Sequence, residues 1–523
     1  MIVFKKLLAL VIVVVLLAMI TLWILAEWVK PEVLRHYINS HFSALTHQKS
    51  EVEGEITWQI FPRPGIKVTK IRIGDDSNPS HYSAKLENLH FNLKITPLLR
   101  GKLVFNDLMV DGFTVNVNPG LASAPLTTQN TPVKFQAKTE DQTKLSEQFA
   151  IERFLLSHGQ INIVENTRVV SFSGLQIGGE QFNLQRRLFP FQFKSNFEIT
   201  KDKQQIIKAQ VNFKGSTSLS PLVFSNPFTI LQNTPLDGVI SLQNVKIKQL
   251  KIAKISAHTK TKPGVFVFNP LTFSLYHGES VGDLSYEFAS KKLNINQTAT
   301  NLDSSKFIKD LLNKSLFKGS LDLSLHAQAN LDNPNWLDST TGYGSFTIKN
   351  GVIELINLNK VINDTSDKIN LLFAGDTIKK EPSLELGQFY NPEFFKGGTN
   401  FKLLTFQYQL KDARMSSNSL ILQTDKLQIK GDGNLNLKDE SLSANLFAKV
   451  TELDSGMGKI QHSLGGSFPI IIGGTLKDPS ALPDLQKINP LLTKIWFRAA
   501  LTKPVKKIGN TLKIILENGQ KFL

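Results

Sequence analysis

The chain has 523 residues, 41% of them hydrophobic and 20% charged, which excludes a mostly disordered protein, a collagen and a polytopic membrane protein. Its 60 Lys and Arg residues exceed its 44 Asp and Glu residues, so the formal net charge is +16. The sequence contains no cysteine, which excludes disulfides, cysteine-ligated zinc ribbons and thiol nucleophiles.

An uncharged apolar stretch near the N-terminus predicts a membrane anchor. Residues 7–25 carry no charge, and at 1.5 Å per residue they span roughly 28 Å, about one hydrocarbon core. Lys5 and Lys6 precede the stretch, which predicts a cytoplasmic N-terminus and a chain that continues beyond the membrane. The alternative is a cleaved signal peptide, but its apolar region is usually only about 7–15 residues long. We therefore favour an uncleaved anchor.

Apolar and polar residues alternate strictly in several segments beyond the anchor. The clearest examples are 321–331, 427–437 and 442–450. Strict alternation places apolar side chains on one face of a sheet and polar side chains on the other. We expect a mainly β fold, with a long curved antiparallel sheet that forms an elongated apolar groove and with few short helices. The same pattern also suits a sandwich with a closed core, and alternation alone leaves both alternatives open.

Other local patterns predict helices and turns. Helical spacing of apolar residues predicts a short helix after the anchor, at 32–47, and we expect further helices near 304–316, near 352–373 and at the C-terminus. Asp-Gly and Asn-Gly dipeptides, which favour hairpin turns, occur at 111–112, 237–238 and 350–351.

The C-terminal segment is basic and amphipathic. From residue 487 to the end, eight Lys and Arg side chains accompany one acidic residue, Glu517, and apolar residues lie between them. Such a helix is a candidate for binding an anionic lipid surface, here through Lys494, Trp496, Phe497 and Arg498. The alternative is a helix that caps the sheet and keeps its lysines in water, and the two interpretations are compatible.

The sequence contains no recognisable catalytic or metal-binding motif. His36, His41 and His47 are five and six residues apart, whereas metal ligands on one helix are three or four apart. Residues 453–460 lack the first glycine and the hydroxyl residue of a phosphate-binding loop. The lysines are dispersed along polar strand faces, which favours a solvated surface over a nucleic-acid site. We expect a protein that is not an enzyme and binds no cofactor, metal or nucleic acid.

Several segments together resemble the AsmA family of proteobacterial envelope proteins. After the anchor and the short helix comes the segment 52–75, with Gly54, Trp58 and Pro62. The further similar blocks are 86–117, 270–288, 342–362, 427–446 and 468–484. The resemblance implies an inner-membrane protein with its body in the periplasm, related to bridge-like lipid-transfer proteins with a repeating β-groove. It also implies a part in outer-membrane biogenesis and in phospholipid movement between envelope membranes.

Periodicity and resemblance together suggest seven segments. They are a cytoplasmic tail at 1–6, the transmembrane anchor at 7–25, an N-terminal AsmA-like β region at 30–119, a flexible linker or loop at 120–149, a central β region at 150–335, a C-terminal AsmA-like β region at 336–484, and a basic amphipathic helical tail at 485–523.

The leading hypothesis is a non-enzymatic protein that binds or transfers phospholipid along a periplasmic β-groove toward the outer membrane. The candidate groove residues are Leu321, Leu323, Leu325, Leu427, Ile429, Leu435, Leu437, Leu442 and Leu446. The expected partners are phospholipid, the inner membrane and outer-membrane assembly factors. One alternative is a scaffold or chaperone-like factor for outer-membrane protein assembly that carries no lipid. Another is an enzyme that acts on envelope glycans.

Overall fold

The computed structural model describes residues 32, 35–36, 38–40, 43, 49–59, 65–74, 82–94, 105–118, 150–219, 234–261, 264–333, 335–372, 383–389, 394, 396–452 and 456–502. Strands make up most of this part of the chain, which confirms the predicted mainly β fold. The predicted anchor at 7–25 and the predicted linker at 120–149 lie outside the described residues, as does the chain beyond 502. None of the helices within the described ranges is long and apolar enough to cross a membrane.

The chain divides into two compact units, Met1–Leu271 and Thr272–Leu523. The described strands of the first unit are β1 Ser50–Val52, β2 Ile56–Gln59, β3 Gly65–Ile73, β4 Tyr82–Leu93, β5 Phe105–Val117, β6 Ala150–Glu165, β7 Arg168–Asn183, β8 Phe189–Lys201, β9 Gln204–Thr217, β10 Leu236–Ile247, β11 Leu250–Lys260 and β12 Val265–Leu275, the last of which extends past the boundary. Strand β3 pairs antiparallel with β1, β2 and β4, and β4 pairs antiparallel with β5. From β6 to β11, each strand pairs antiparallel with the next.

Alternation divides the sheet of the first unit into an apolar and a polar face. On β9, Ala209, Val211 and Phe213 are buried, while the lysines on either side of them, Lys208 and Lys214, are exposed. Successive side chains of a strand point to opposite faces, so the buried and exposed sets lie on opposite sides of the sheet. The predicted antiparallel sheet is therefore confirmed in this unit, with one exception.

The exception is the parallel pairing of β5 with β6, which carries a hydrogen-bonded network around a buried carboxylate. Asp107 lies opposite Arg153, whose Nε donates to Asp107 Oδ1 over 2.8 Å. The side-chain amides of Asn92 and Asn106 donate to Asp107 Oδ2 over 3.2 and 3.0 Å. The Asp107 side chain is 3% exposed, so these donors replace the water that its charge would otherwise require. The network therefore stabilises the register of the parallel pair.

We expect Arg153→Leu to destabilise the first unit by about 2–3 kcal/mol, because it removes the cationic partner of a buried carboxylate. Urea unfolding followed by circular dichroism would measure the change. The matched control is Arg168→Leu, which removes an exposed arginine at the start of β7 and should change stability by less than about 0.5 kcal/mol. Equal effects of the two variants would contradict the assigned role of Arg153.

Helical residues precede β1 and bind the first strands directly. Within the predicted helix at 32–47, every described residue is helical. The Arg35 guanidinium donates to the backbone oxygens of Val52 and Gly54, the latter over 2.9 Å. The Asn39 side-chain oxygen accepts from the Val52 amide over 3.0 Å. These bonds, together with the buried Ile38, fix this helical segment against β1 and its neighbours.

The second unit contains ten strands and four α-helices in the described part of the chain. They are β13 Gly278–Glu287, β14 Lys292–Asp303, α1 Ser304–Leu312, β15 Phe317–Asn330, β16 Thr341–Ile353, α2 Leu358–Leu372, β17 Thr399–Lys411, β18 Arg414–Gln423, β19 Leu427–Asn436, β20 Leu442–Val450, α3 Gly456–Ser463, β21 Phe468–Gly474, β22 Pro479–Pro483 and α4 Leu485–Thr502. Each strand pairs antiparallel with the next in the chain. Strands β19 and β20 confirm the two alternating segments predicted at 427–437 and 442–450.

The predicted helices exist, with different ends. Helix α1 begins after Asp303, whose side chain accepts from the Lys306 amide, and it ends four residues early because Asn313 adopts a left-handed conformation. The predicted start of the helix at 352–373 was wrong, since β16 continues to Ile353. Asn357 caps α2 instead, its side-chain oxygen accepting from the Lys360 amide over 3.0 Å.

The three predicted hairpin turns were wrong, because all three dipeptides lie inside strands. The dipeptides are 111–112 in β5, 237–238 in β10 and 350–351 in β16. Gly112 and Asn350 have φ values of 74° and 50°, which glycine and asparagine tolerate at irregular positions in a strand. The register of β15 with β16 shifts beside Asn350, as a bulge requires. Gly238 instead lies against Gly215, where an added Cβ would meet the backbone of β9.

Candidate functional site

Register gives the second unit one continuous apolar face. Leu302 of β14 lies opposite Leu321 of β15, and Leu321 lies opposite Ile348 of β16. Ile348 lies in turn opposite Leu404 of β17. Directly opposed residues project from the same side of a sheet, so these four side chains form one surface. All four are at most 5% exposed.

Helices α2, α3 and α4 cover part of this apolar face and close it into a core. Ile362 of α2, Ile460 of α3 and Leu492 of α4 are each at most 1% exposed and belong to the same buried cluster as Leu321 and Ile429. Asn489 of α4 also exchanges two hydrogen bonds with the backbone of Leu384, which lies in the segment before β17. In this region the side chains pack against one another and are almost fully removed from solvent.

A second part of the same face carries none of the helices that the structure describes. Its apolar side chains are half-buried and lie outside the helix-covered core. We call this part the uncovered strip and define it by six residues: Leu284, Ile295, Leu325, Phe406, Met415 and Leu435. Leu284 lies opposite Ile295, and Met415 lies opposite Leu435. The described part of the second unit thus combines a closed core with an apolar surface left accessible.

The predicted groove residues fall into both parts of the face. Four of them are fully buried in the helix-covered core, namely Leu321, Leu427, Ile429 and Leu446. Leu323 and Leu442 are half-buried and pack against that core. Leu325 and Leu435 belong to the uncovered strip, and Leu437 is half-buried just after β19. Periodicity identified the face, but it did not identify Leu284, Ile295, Phe406 or Met415 as its uncovered members.

The predicted membrane-surface residues of the tail lie on α4 with different surroundings. Lys494 is exposed and Phe497 is 58% exposed, whereas Trp496 packs against the helix-covered core. Arg498 belongs to α4, and its side chain lies outside the description. The helix therefore packs one side on the sheet and turns another side outward.

Two polar side chains on the apolar face are bonded within the sheet itself. Tyr408 Oη donates to the backbone oxygen of Ser324 over 2.8 Å, and its ring lies over Gly344, where a Cβ would come within 2.5 Å of the hydroxyl. Ser280 Oγ donates to Gln297 Oε1 over 2.7 Å. Because these polar atoms bind each other, the face presents mainly carbon to its surroundings.

Burial raises the pKa of Tyr408 to about 12, since the phenolate would be poorly solvated in the wall. An unfolded chain loses this proton near pH 10, so raising the pH from about 10 to about 12 should destabilise the folded state. We expect the tyrosinate absorbance of the native protein to include one step near pH 12 that Tyr408→Phe removes. Tyr343→Phe, which alters an exposed phenol, is the control and should preserve that step. Persistence of the step near pH 12 in Tyr408→Phe would contradict the assignment of that step to Tyr408.

In the first unit, phenylalanine rings line the apolar face. Phe172 and Phe197 have ring centroids 5.1 Å apart, and Phe191 and Phe213 have centroids 5.0 Å apart. Phe193 stacks on Phe213 with a centroid distance of 5.7 Å. Phe213 is buried, whereas the other four rings are half-buried. The first unit thus also presents accessible aromatic carbon on one sheet face.

A concavity of about 950 Å³ also lies in the first unit. Its size is within the range of small-molecule sites, about 300–1,000 Å³. Arg153 and Lys214 line it together with the carboxylates of Asp107 and Glu180, so its charged side chains are of both signs. Arg153 already binds Asp107, and the concavity therefore offers no purely cationic site.

One cluster outside the apolar faces superficially suggests nucleophilic catalysis. Ser157 Oγ donates to Asp111 Oδ1 over 2.7 Å, and His158 Nδ1 lies 2.6 Å from the same oxygen. These hydrogen bonds lower the pKa of Asp111. In a serine triad the histidine lies between serine and carboxylate and accepts the serine proton. Here both side chains bind the carboxylate, so the carboxylate orients them without making His158 a base for Ser157.

Comparison with known proteins identifies one family. The AsmA family model matches residues 1–217 and again residues 218–420. These matches include the blocks at 86–117, 270–288 and 342–362 that carry the resemblance seen in the sequence. A search of curated proteins returned no match, and a search of solved structures returned none either.

Proposed function

The chain belongs to the AsmA family, and from this premise we propose that its apolar strand faces bind phospholipid acyl chains as part of envelope biogenesis. The uncovered strip of the second unit is the observation that carries the proposal. Helices bury the rest of the same face, so the strip is a surface of carbon atoms for which the described chain provides no cover. A lipid acyl chain is a chemically matched cover.

The energetics favour acyl chains over polar ligands at these faces. Each methylene that leaves water for an apolar surface contributes about 0.8 kcal/mol. The hydroxyl groups of Tyr408 and Ser280 on this face already form hydrogen bonds within the protein and offer few free partners to a polar ligand.

The cellular setting is part of the same proposal. An anchor at 7–25 would fix the chain in the inner membrane, with the N-terminus in the cytoplasm and the described units in the periplasm. The protein would act by binding or transferring phospholipid toward the outer membrane, without catalysis and without a cofactor. Family membership and the charge distribution around residues 7–25 support this arrangement.

The test introduces charge into the uncovered strip. We expect the double variant Ile295→Asp with Leu435→Asp to lower crosslinking of a phospholipid with a photoactivatable acyl chain by roughly tenfold, because a carboxylate against hydrocarbon is poorly solvated. Mass spectrometry of the full-length protein would locate crosslinked peptides in β14–β19. Crosslinks at the anchor segment map elsewhere in the sequence and do not affect this readout.

The matched control places two carboxylates on the polar face of the same strands, as Thr298→Asp with Asn434→Asp. It should crosslink like the unaltered protein, and both variants should retain the same strand content by circular dichroism. Undiminished crosslinking in the strip variant would overturn the lipid-binding proposal. Crosslinking of the strip to outer-membrane protein precursors instead of lipid would favour the scaffold alternative.

A further inference from the structure

The polar face of the first unit aligns three lysines in one row across three strands. Lys208 of β9 lies directly opposite Lys246 of β10, and Lys246 lies directly opposite Lys251 of β11. All three are exposed. Adjacent strands are about 4.8 Å apart, so the three side chains start from positions spread over about 10 Å. Like charges directly opposite one another destabilise a sheet. Glu198 of β8 lies opposite Lys208 on its other side and partly offsets the charge at that end of the row.

The row belongs to a wider cationic surface. Lys194, Lys214 and Lys254 are exposed on the same face of β8, β9 and β11. We call these three lysines and the three of the row the lysine face. Between residues 189 and 261 the chain has ten lysines and three acidic residues, which gives ten minus three, or +7, of its total of +16. Lys214 lies six residues from Lys208 along β9, about 20 Å away, so the charge covers an area rather than a line.

We propose that the lysine face is a docking surface for a membrane that contains anionic phospholipid. Charge complementarity is the basis: each lysine close to an anionic bilayer strengthens association about fivefold. Most residues between the lysines are small or amide side chains, such as Asn196, Asn212 and Ser241, and Glu198 and Val239 are the exceptions beside Lys208 and Lys214. A broad, aromatic-free cationic surface suits a plane of lipid phosphates, whereas single-stranded nucleic acid is bound with stacking aromatic side chains.

This surface is separate from the one proposed to bind acyl chains. The lysines alternate along their strands with apolar-face residues such as Ile207, Ala209 and Ile247, so they project from the opposite side of the sheet. Docking through the lysine face would therefore leave the phenylalanine-lined apolar face of the first unit free to contact lipid chains. The two proposals are independent and can fail separately.

The natural absence of cysteine permits a site-specific test on the full-length protein. Asn212→Cys places a single thiol on the exposed centre of the lysine face, where a fluorophore can be attached. Energy transfer from this dye to acceptor-labelled lipids reports the distance between this face and the bilayer, and transfer with pure phosphatidylcholine vesicles is the baseline for every other attachment of the chain. We expect transfer with vesicles of phosphatidylglycerol and phosphatidylcholine, and loss of transfer when salt rises from about 0.1 M to about 1 M, where the screening length falls from about 10 Å to about 3 Å.

Charge variants then identify the lysines responsible. The triple variant Lys208→Gln, Lys246→Gln and Lys251→Gln should weaken docking to the anionic vesicles by about tenfold or more. The control removes three exposed lysines from strands of the second unit, as Lys411→Gln, Lys430→Gln and Lys449→Gln, with the same loss of charge. It should dock like the unaltered protein.

Three results would overturn the proposal. Equal transfer to pure phosphatidylcholine vesicles would show that anionic lipid is not recognised. An equal effect of the two triple variants would show that net charge, and not the lysine face, is responsible. A dye response to soluble dextran sulfate without any response to anionic vesicles would assign the surface to an anionic polymer instead of a membrane.

Discussion

Covering the apolar side of an antiparallel sheet is the physical constraint on which this structure depends. Strands of the second unit such as β15, β16 and β17 carry apolar side chains on one face, and exposing each of these side chains to water costs free energy in proportion to its area. The described chain covers part of that face with helices, among them α2, α3 and α4. Their buried residues account for the fully enclosed core, and where they end the apolar side chains become half-buried. The boundary of helical cover therefore decides where the surface is accessible.

Two residues on one strand show that the same alternation produces both a buried core position and an accessible surface position. Leu321 and Leu325 lie on the same face of β15, four residues apart, and each continues the same alternation. Leu321 is 0% exposed beneath the helices, whereas Leu325 is half-buried outside them. Polar side chains in place of the apolar ones along the uncovered part would make it an ordinary solvated sheet face. The chain instead keeps it apolar and bonds the hydroxyl of Tyr408 to its own backbone, which is consistent with selection for an apolar surface.

The same contrast explains what could be read from the sequence. Period-two alternation is local, so the strands at 427–436 and 442–450 were predictable from their own residues. Helical cover is not local: the core joins Leu321 to Leu492, which are far apart in the chain. The sequence therefore identified the apolar face but not the boundary between its closed core and its uncovered strip. The turn predictions at the Asp-Gly and Asn-Gly dipeptides failed for a related reason. A positive φ suits both a turn and a bulge, and only strand pairing distinguishes the two.

Strand pairing also converts dispersed charge into a surface. Lys208 and Lys246 are distant in sequence, and composition records them only as part of a net charge of +16. An irregularity of β10 determines on which face of the sheet Lys246 lies. Gln243 lies on the polar face, and strict alternation would place Val245 on that face and Lys246 on the apolar one. The register instead shifts between Gln243 and Lys246, with Asn244 at a φ of 52°, so Val245 becomes buried and Lys246 joins the row opposite Lys208. One bulge thus preserves the apolar face and completes the cationic one.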